Sequence, residues 1–182
     1  GQWLFTNAKI AARQRQHVLD SFMEFATACG ITEHLLEWNL PLPADALNYA
    51  QEWIPTNETT AAGTLVISAC SSHVRRNWLP ERYAAVAQHA IDQYGMRVIL
   101  AGGPGPIERE MADAIRRHCP AVTDQVGKDT LPQMLALLAR ARVLLAPDTG
   151  PAHMATMVGT PVIGLYAATN PARSGPYLSR QW

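Results

Sequence analysis

The stretch Val143-Leu144-Leu145-Ala146-Pro147-Asp148-Thr149-Gly150-Pro151-Ala152-His153 begins as an apolar run and ends in a polar turn. An apolar run of this length, without alternating polar residues, is typical of a strand covered on both faces of a parallel sheet. Proline is favoured in the first turn of a helix, and the glycine and proline at 159–161 mark where such a helix ends. The stretch therefore predicts a strand that passes directly into a helix.

The same alternation of strand and helix extends on both sides of this stretch. Apolar runs predict strands at 64–68, 97–101, 122–126, 142–146 and 162–166. Helical periodicity and helix-start signals predict intervening helices at 80–94, 107–118, from 130 and from 148. Strands that alternate with helices of this length form βαβ units, so the predicted fold class is α/β with a doubly wound, Rossmann-like parallel sheet.

Residues 1–60 differ from this pattern and contain no core that could stand alone. A helix is predicted from Arg13 to Cys29, prolines interrupt residues 40–43, a short helix follows at 44–53, and 55–60 is a polar loop. The domain prediction is therefore a helical linker at 1–60 followed by an α/β domain at 61–182. Because the chain lacks a starting Met and ends without a closing helix, it is expected to be a piece of a longer protein.

The composition restricts the classes of partner and the compartment. The 182 residues include 15 Lys plus Arg and 15 Asp plus Glu, so there is no positive surplus for a broad nucleic-acid surface. A few arginines and amides could still bind one phosphate group. No apolar run is long enough to span a membrane, no signal peptide opens the chain, and its three cysteines suit a reducing compartment. The predicted location is the cytoplasm.

The turn at 148–153 is the strongest candidate for a ligand site. Ligands in open α/β sheets bind beside the loops that follow the strands, here 69–79, 102–106, 127–130, 147–153 and 167–177. The amides of Thr149 and Gly150 open a helix whose dipole favours an anion, Asp148 can accept bonds from sugar hydroxyls, and His153 follows one turn later. The alternative is that Asp148 only caps the helix and His153 is an ordinary helical residue.

Two further loops carry weaker signals. Ser71, Ser72 and Arg76 follow the first strand and could bind phosphate oxygens, although a solvated loop with Trp78 packed as a hydrophobic staple is equally compatible. The loop at 102–106 contains Gly102 and Gly103, but its prolines remove amide donors, so it fits a base or ribose better than a phosphate. Glu108 could bind ribose hydroxyls or simply favour the amino end of its helix. No histidine has metal-like partners, so no metal site is predicted.

The Ser-rich loop with Arg76-x-Trp78-x-Pro80, the Gly-Gly-Pro loop and above all Asp148-Thr149-Gly150-x-x-His153 resemble glycosyltransferase family 9, the ADP-heptose:lipopolysaccharide heptosyltransferases. The resemblance implies the carboxyl-terminal, donor-binding half of a GT-B enzyme. It implies sugar and diphosphate contacts for Asp148, Thr149, Gly150 and His153. It implies phosphate contacts for the loop at 71–76, and nucleotide contacts for Gly102, Gly103 and Leu131. The sequence departs from the family where Arg76 replaces a frequent Lys and where 167–169 replaces a Gly-Pro-Thr turn.

The resemblance further implies an inverting transfer of heptose from ADP-heptose to the lipopolysaccharide inner core, without a cofactor. The catalytic base, an Asp, and the acceptor site are then expected in an amino-terminal domain that this chain lacks, and no catalytic residue is assigned here. The full enzyme could associate peripherally with the cytoplasmic face of the inner membrane. Two alternatives remain open at the level of sequence: a nucleotide-sugar epimerase or hydrolase, and a non-catalytic nucleotide-sugar binding module.

Overall fold

A single five-stranded parallel sheet forms the centre of the computed structural model, which describes residues 4–11, 13–56 and 62–177. The strands lie in the order β3-β2-β1-β4-β5, and their bounds are Thr64–Ile67 (β1), Arg97–Leu100 (β2), Thr123–Asp124 (β3), Val143–Pro147 (β4) and Val162–Leu165 (β5). The helices are Val18–Ala28 (α1), Ala44–Trp53 (α2), Pro80–Tyr94 (α3), Pro106–His118 (α4), Leu131–Arg140 (α5), Gly150–Met157 (α6) and Pro171–Ser174 (α7). The predicted doubly wound α/β fold is confirmed.

Alternate residues of the strands pack into two separate cores, one on each face of the sheet. Leu65 and Ile67 of β1 pack with α3 and α4, whereas Val66 between them packs with α5 and α6. Strand β1 pairs with both β2 and β4, so the chain reverses its direction of winding between β1 and β4. This reversal is the switch point at which sheets of this class open a crevice for ligands.

Local signals in the sequence fix several helix ends as predicted. Thr130 and Gln133 form a capping box at the start of α5, and Gly95 ends α3 in the left-handed conformation (φ 63°). Trp78 packs edge-on against Tyr83, with ring centroids 5.5 Å apart, which is the hydrophobic staple that the alternative interpretation of this loop contained. Short-range hydrogen bonding therefore accounts for these boundaries.

Three predicted boundaries are wrong. Helix α1 begins at Val18 rather than at Arg13, because Arg15 has a positive φ of 61° and the His17 ring accepts a capping bond from Leu19 N–H. Helix α6 begins at Gly150 rather than Asp148, since Thr149 is extended. Strand β3 has two residues rather than five, because the Asp124 carboxylate accepts from Val126 N–H and turns the chain.

Segments from the first 56 residues pack against the α/β unit. Helix α2 lies on α5 through Ala46, Ala50 and Ala136, which are buried. The Arg140 guanidinium donates to the Ile54 carbonyl at 2.6 Å, and Arg97 donates to the Trp53 carbonyl. No helix in the described ranges is long and apolar enough to cross a membrane.

Candidate functional site

Arg76 and Asp148 meet at the switch point between β1 and β4. Arg76 lies in a short 3-10 helix (Val74–Arg76) that follows β1, and Asp148 directly follows β4. Arg76 Nη1 is 3.5 Å from both Asp148 Oδ2 and the Asp148 carbonyl oxygen. The sequence predicted both residues in the site, and the structure brings them together although 72 positions separate them.

The Asp148 carboxylate is nearly buried and does not cap α6. Thr149 is the N-cap residue, and neither its side chain nor that of Asp148 makes a capping bond. Instead, Ser174 Oγ donates to Asp148 Oδ2 at 3.3 Å, so this oxygen is shared between Ser174 and Arg76. The capping interpretation of Asp148 is wrong. Ser174 was missed by the sequence reasoning, although its loop at 167–177 had been placed at this edge of the sheet.

The first turn of α6 offers few amide donors, and these are at its very start. Pro151 has no N–H, and Ala152 N–H already donates to the Thr149 carbonyl at 3.2 Å. The donors that this turn can present to a ligand are therefore those of Thr149 and Gly150. A Cβ atom placed on Gly150 would have no heavy atom within 4 Å, apart from its chain neighbours and the backbone of its own helix, so there is free space beside this residue.

The serine loop is ordered by its own hydrogen bonds. Ser71 is buried, its N–H donates to Asn77 Oδ1 at 2.7 Å, and its hydroxyl accepts from His73 N–H at 3.4 Å. Ser72 is exposed. Ser71 thus shapes the loop that carries Arg76, whereas the hydroxyl of Ser72 is accessible to a ligand. Asn77, which holds the loop closed, had no signal in the sequence beyond its position beside the two arginines.

His153 lines an apolar cavity of about 250 Å³ that adjoins Ser174. Burial lowers the pKa of His153, the negative charge of Asp148 partly opposes this shift, and His17 adds to it. His153 is therefore neutral at pH 7, and it can exchange hydrogen bonds with a hydroxyl group without contributing charge. The remaining lining comes mainly from α1 and α6, through residues that include Val18, Leu19, Phe22, Trp38, Thr156 and Met157.

The predicted nucleotide residues lie farther along the same edge, after β2 and β3. Gly127 N–H donates to the Gly102 carbonyl at 2.9 Å, which joins these two loops. The Glu108 side chain lies against the glycine loop, since a Cβ atom on Gly103 would be 3.4 Å from Glu108 Oε1. Leu131 is 75% exposed at the start of α5. The structure thus groups Gly102, Gly103 and Glu108, and it places Leu131 beyond the β3 loop.

Within the described ranges, no three His, Cys, Asp or Glu side chains are grouped so that they could hold a metal ion. The groups that the structure brings to this region are the Arg76 guanidinium, the Thr149 and Gly150 amides, the Asp148 carboxylate and the His153 imidazole.

Doubly wound α/β domains bind anionic ligands at helix amino termini beside the switch point, and here Arg76 adds a positive charge at that place. The model of glycosyltransferase family 9 (heptosyltransferase) matches residues 1–182. The chain belongs to this family, as the motif around Asp148 predicted.

Curated relatives from two organisms agree with this assignment. The chain is 41% identical over 178 residues to the lipopolysaccharide core heptosyltransferase OpsX of Haemophilus influenzae, an alignment that covers 97% of this chain and 50% of the relative. It is 26% identical over 176 residues to lipopolysaccharide heptosyltransferase 3 of Escherichia coli, with 93% and 49% covered. The chain spans about half the length of the curated relatives it matches.

Solved structures share the fold. A family 9 glycosyltransferase from Veillonella parvula superposes with a TM-score of 0.83 at 24% identity, over 97% of this chain and 53% of that one. The E. coli heptosyltransferase WaaC, solved with ADP, gives a TM-score of 0.69 at 25% identity, over 96% and 52%. These neighbours confirm the predicted fold class, an α/β unit that corresponds to about half of a GT-B heptosyltransferase.

Proposed function

We propose that this chain is the donor-binding, carboxyl-terminal part of an enzyme that transfers heptose from ADP-heptose to the lipopolysaccharide inner core. The observation that carries the proposal is Arg76 beside the open amino end of α6 at the switch point of a family 9 domain. Two of the similar structures, both of E. coli WaaC, contain ADP or ADP-2-deoxy-2-fluoro heptose, which supports a nucleotide-sugar donor for this chain as well.

The contribution of Arg76 to the reaction is electrostatic. When the glycosidic bond to the diphosphate breaks, negative charge grows on the leaving phosphate oxygens. Among the described residues, the Arg76 guanidinium contacts only Asp148, and it does so through Nη1. Its other N–H groups can therefore donate to those oxygens. The Thr149 and Gly150 amides at the start of α6 and the exposed Ser72 hydroxyl are further donors assigned to the diphosphate. Because these donors are positioned before the charge develops, they stabilise the transition state more than the intact donor.

The sugar end of the site is assigned to Asp148 and His153. The Asp148 carboxylate is held in place by Ser174 and Arg76, which orients its other oxygen to accept a bond from a sugar hydroxyl. His153, neutral at pH 7, provides a second hydrogen-bonding group on the wall of the apolar cavity. Gly102, Gly103, Glu108 and Leu131 are assigned to the nucleoside, with Glu108 on the ribose.

The catalytic base is assigned to a part of the longer protein outside this chain. The Asp148 carboxylate already contacts Arg76 and accepts a hydrogen bond from Ser174, and it is assigned to a sugar hydroxyl rather than to the proton transfer. We infer that an Asp of an amino-terminal domain takes the proton of the acceptor hydroxyl, which attacks the anomeric carbon from the face opposite ADP and so inverts its configuration. The 182-residue chain is then expected to bind the donor without turning it over. The full enzyme would work in the cytoplasm, at the face of the inner membrane.

The proposal is tested by calorimetric titration of the chain with ADP, UDP and ADP-heptose. ADP and ADP-heptose are expected to bind more tightly than UDP. Removal of one charge-assisted contact by Arg76→Ala should weaken ADP binding by roughly tenfold or more. The matched control is Arg117→Ala, which removes an equal charge from an exposed position on α4 and should leave the affinity unchanged.

Three results would contradict the proposal. Equal or tighter binding of UDP would favour a different nucleotide-sugar enzyme, such as an epimerase or hydrolase. Unchanged ADP affinity in the Arg76→Ala variant would remove the phosphate role of this residue. Heptose transfer by the isolated chain would show that a catalytic base lies within it.

A further inference from the structure

A polar cavity of about 440 Å³ lies between the amino end of α1 with the segment that precedes it and helix α7 with its N-cap residue. Three arginines from these two segments line it: Arg13, Arg15 and Arg173. Neutral hydrogen-bonding groups complete the wall, namely Gln16, Ser21 and Asn170. The residues assigned to the donor do not line this cavity.

The positive charge around this cavity is only partly compensated. Arg13 pairs with Glu24 at 2.8 Å, and the same carboxylate oxygen accepts from Gln16 Nε2 at 2.9 Å. Within the described part of the chain, neither Arg15 nor Arg173 has an ion-pair partner. Two guanidinium groups therefore remain available to an anion in the same cavity.

The backbone at Arg15 is unusual in a way that concerns the same cavity. Its φ of 61° is the one positive value at a non-glycine residue within the described ranges. This conformation is costly for a residue with a long side chain, and such strain is often kept where a functional group must be held in one direction. The positive φ turns the chain shortly before α1, and Arg15 lies on the cavity wall.

The two walls are tied to each other and to the donor site. The His17 ring accepts from Leu19 N–H through Nδ1, so its Nε2 carries the proton and donates to the Gly175 carbonyl at 2.9 Å. The Tyr177 hydroxyl donates to Asp20 of α1. Ser174, the residue after Arg173, donates to Asp148. Arg173 on the cavity wall is therefore adjacent in the chain to the residue that contacts Asp148 in the proposed donor site.

We propose that the cavity is a second oxyanion site, which binds a phosphate group carried by the acceptor sugar. Two unpaired guanidinium forks near the amino end of α1 match a phosphate dianion better than a neutral sugar. The neighbouring amide and hydroxyl side chains suit the hydroxyls of the same sugar. The identity of the ligand as an acceptor rests on the proposed transferase function, whereas the anion site itself does not.

The test is a titration of the 182-residue chain by amide NMR shifts, with glucose 6-phosphate, glucuronate and glucose as probes, with and without saturating ADP. Glucose 6-phosphate is expected to bind, to shift amides around Arg15 and Arg173, and to bind equally well beside ADP. Arg15→Ala and Arg173→Ala should each weaken this binding by roughly tenfold and leave ADP affinity unchanged. Arg117→Ala should change neither.

Each other outcome overturns a stated part of the proposal. Competition between glucose 6-phosphate and ADP, or loss of sugar-phosphate binding in Arg76→Ala, would place the anion at the donor site instead. Equal binding of glucuronate would replace phosphate by carboxylate as the recognised group, and no binding of any probe would remove the site. If the sugar phosphate binds and ADP does not, the proposed transferase function fails while the anion site stands.

Discussion

A substitution at Gly150 is expected to change ligand affinity without lowering the stability of the fold. It is the first residue of α6, its φ is not positive, and a side chain there would meet no neighbouring group. Gly150→Ala should leave thermal stability unchanged or slightly raised, because alanine loses less entropy on folding. The added methyl group would take up space beside the Gly150 amide, where the phosphate is proposed to bind, so ADP affinity should fall by about tenfold.

Gly159 provides the opposite control for this experiment. Its φ of 75° is strained for any other residue, although its surroundings are also empty. Gly159→Ala should therefore lower stability by about 1 kcal/mol and leave ADP affinity unchanged. Melting curves and ADP titrations of the two variants would test both statements. If Gly150→Ala loses stability and affinity together, the glycine serves the fold and not the ligand.

Asp129 is a second residue whose environment predicts a measurable effect. Burial raises the pKa of its carboxyl group from 3.8 to about 6, and Oδ2 has no hydrogen-bond partner in the described structure. The folded state therefore holds the proton more tightly than the unfolded chain. The contribution of Asp129 to the free energy of unfolding is expected to be largest below pH 4 and to be lost as the pH rises through 6.

Asp129→Asn should remove this pH dependence and stabilise the protein at pH 8. A shift of about two pKa units sets a limit of roughly 3 kcal/mol, and screening of this partly exposed side chain reduces the expected gain to about 1 kcal/mol. Urea denaturation of both proteins between pH 4 and pH 8 would measure it. A constant difference across that range would show that the charge of Asp129 is not the cause.

At the scale of elements, the contact of α2 with α5 decides whether residues 44–53 belong to the α/β unit. Ala50 of α2 is fully buried against α5. Ala50→Leu would force extra volume into this close contact and should destabilise the whole chain by about 1–3 kcal/mol. Gln51→Leu introduces the same residue on the exposed side of α2 and should change stability by less than about 0.5 kcal/mol.

Chemical denaturation monitored over the whole sheet would distinguish two cases. A lower midpoint for the entire transition means that α2 folds with the α/β unit. An early local transition that spares the sheet would instead support the boundary near residue 60 that the sequence suggested. We propose the first outcome, because hydrogen bonds from Arg97 and Arg140 also fasten the end of α2 to the domain.

The boundaries of helices and strands were predicted correctly where they depend on interactions between residues close in the sequence. The ends of α3 and α5 were predicted because a glycine or a capping box acts within a few residues. The start of α1 was not, because residues 13–17 contain no glycine or proline that would mark a boundary, whereas the structure begins the helix after them, through the positive φ of Arg15 and the His17 cap. Strand β3 was predicted too long, since only two of its residues find partners on β2.

At the scale of the molecule, the sequence alone determined the succession of strands and helices along the chain, the doubly wound class and the motif around Asp148. These follow from local periodicity and turn chemistry, which neighbouring residues impose. Tertiary structure alone decided that Arg76 and Ser174 meet at the Asp148 carboxylate, and that Arg15 and Arg173 share one cavity. The reason is physical: strand order in the sheet and the packing of α1 against 174–177 set which distant loops become neighbours, and no local pattern encodes those contacts.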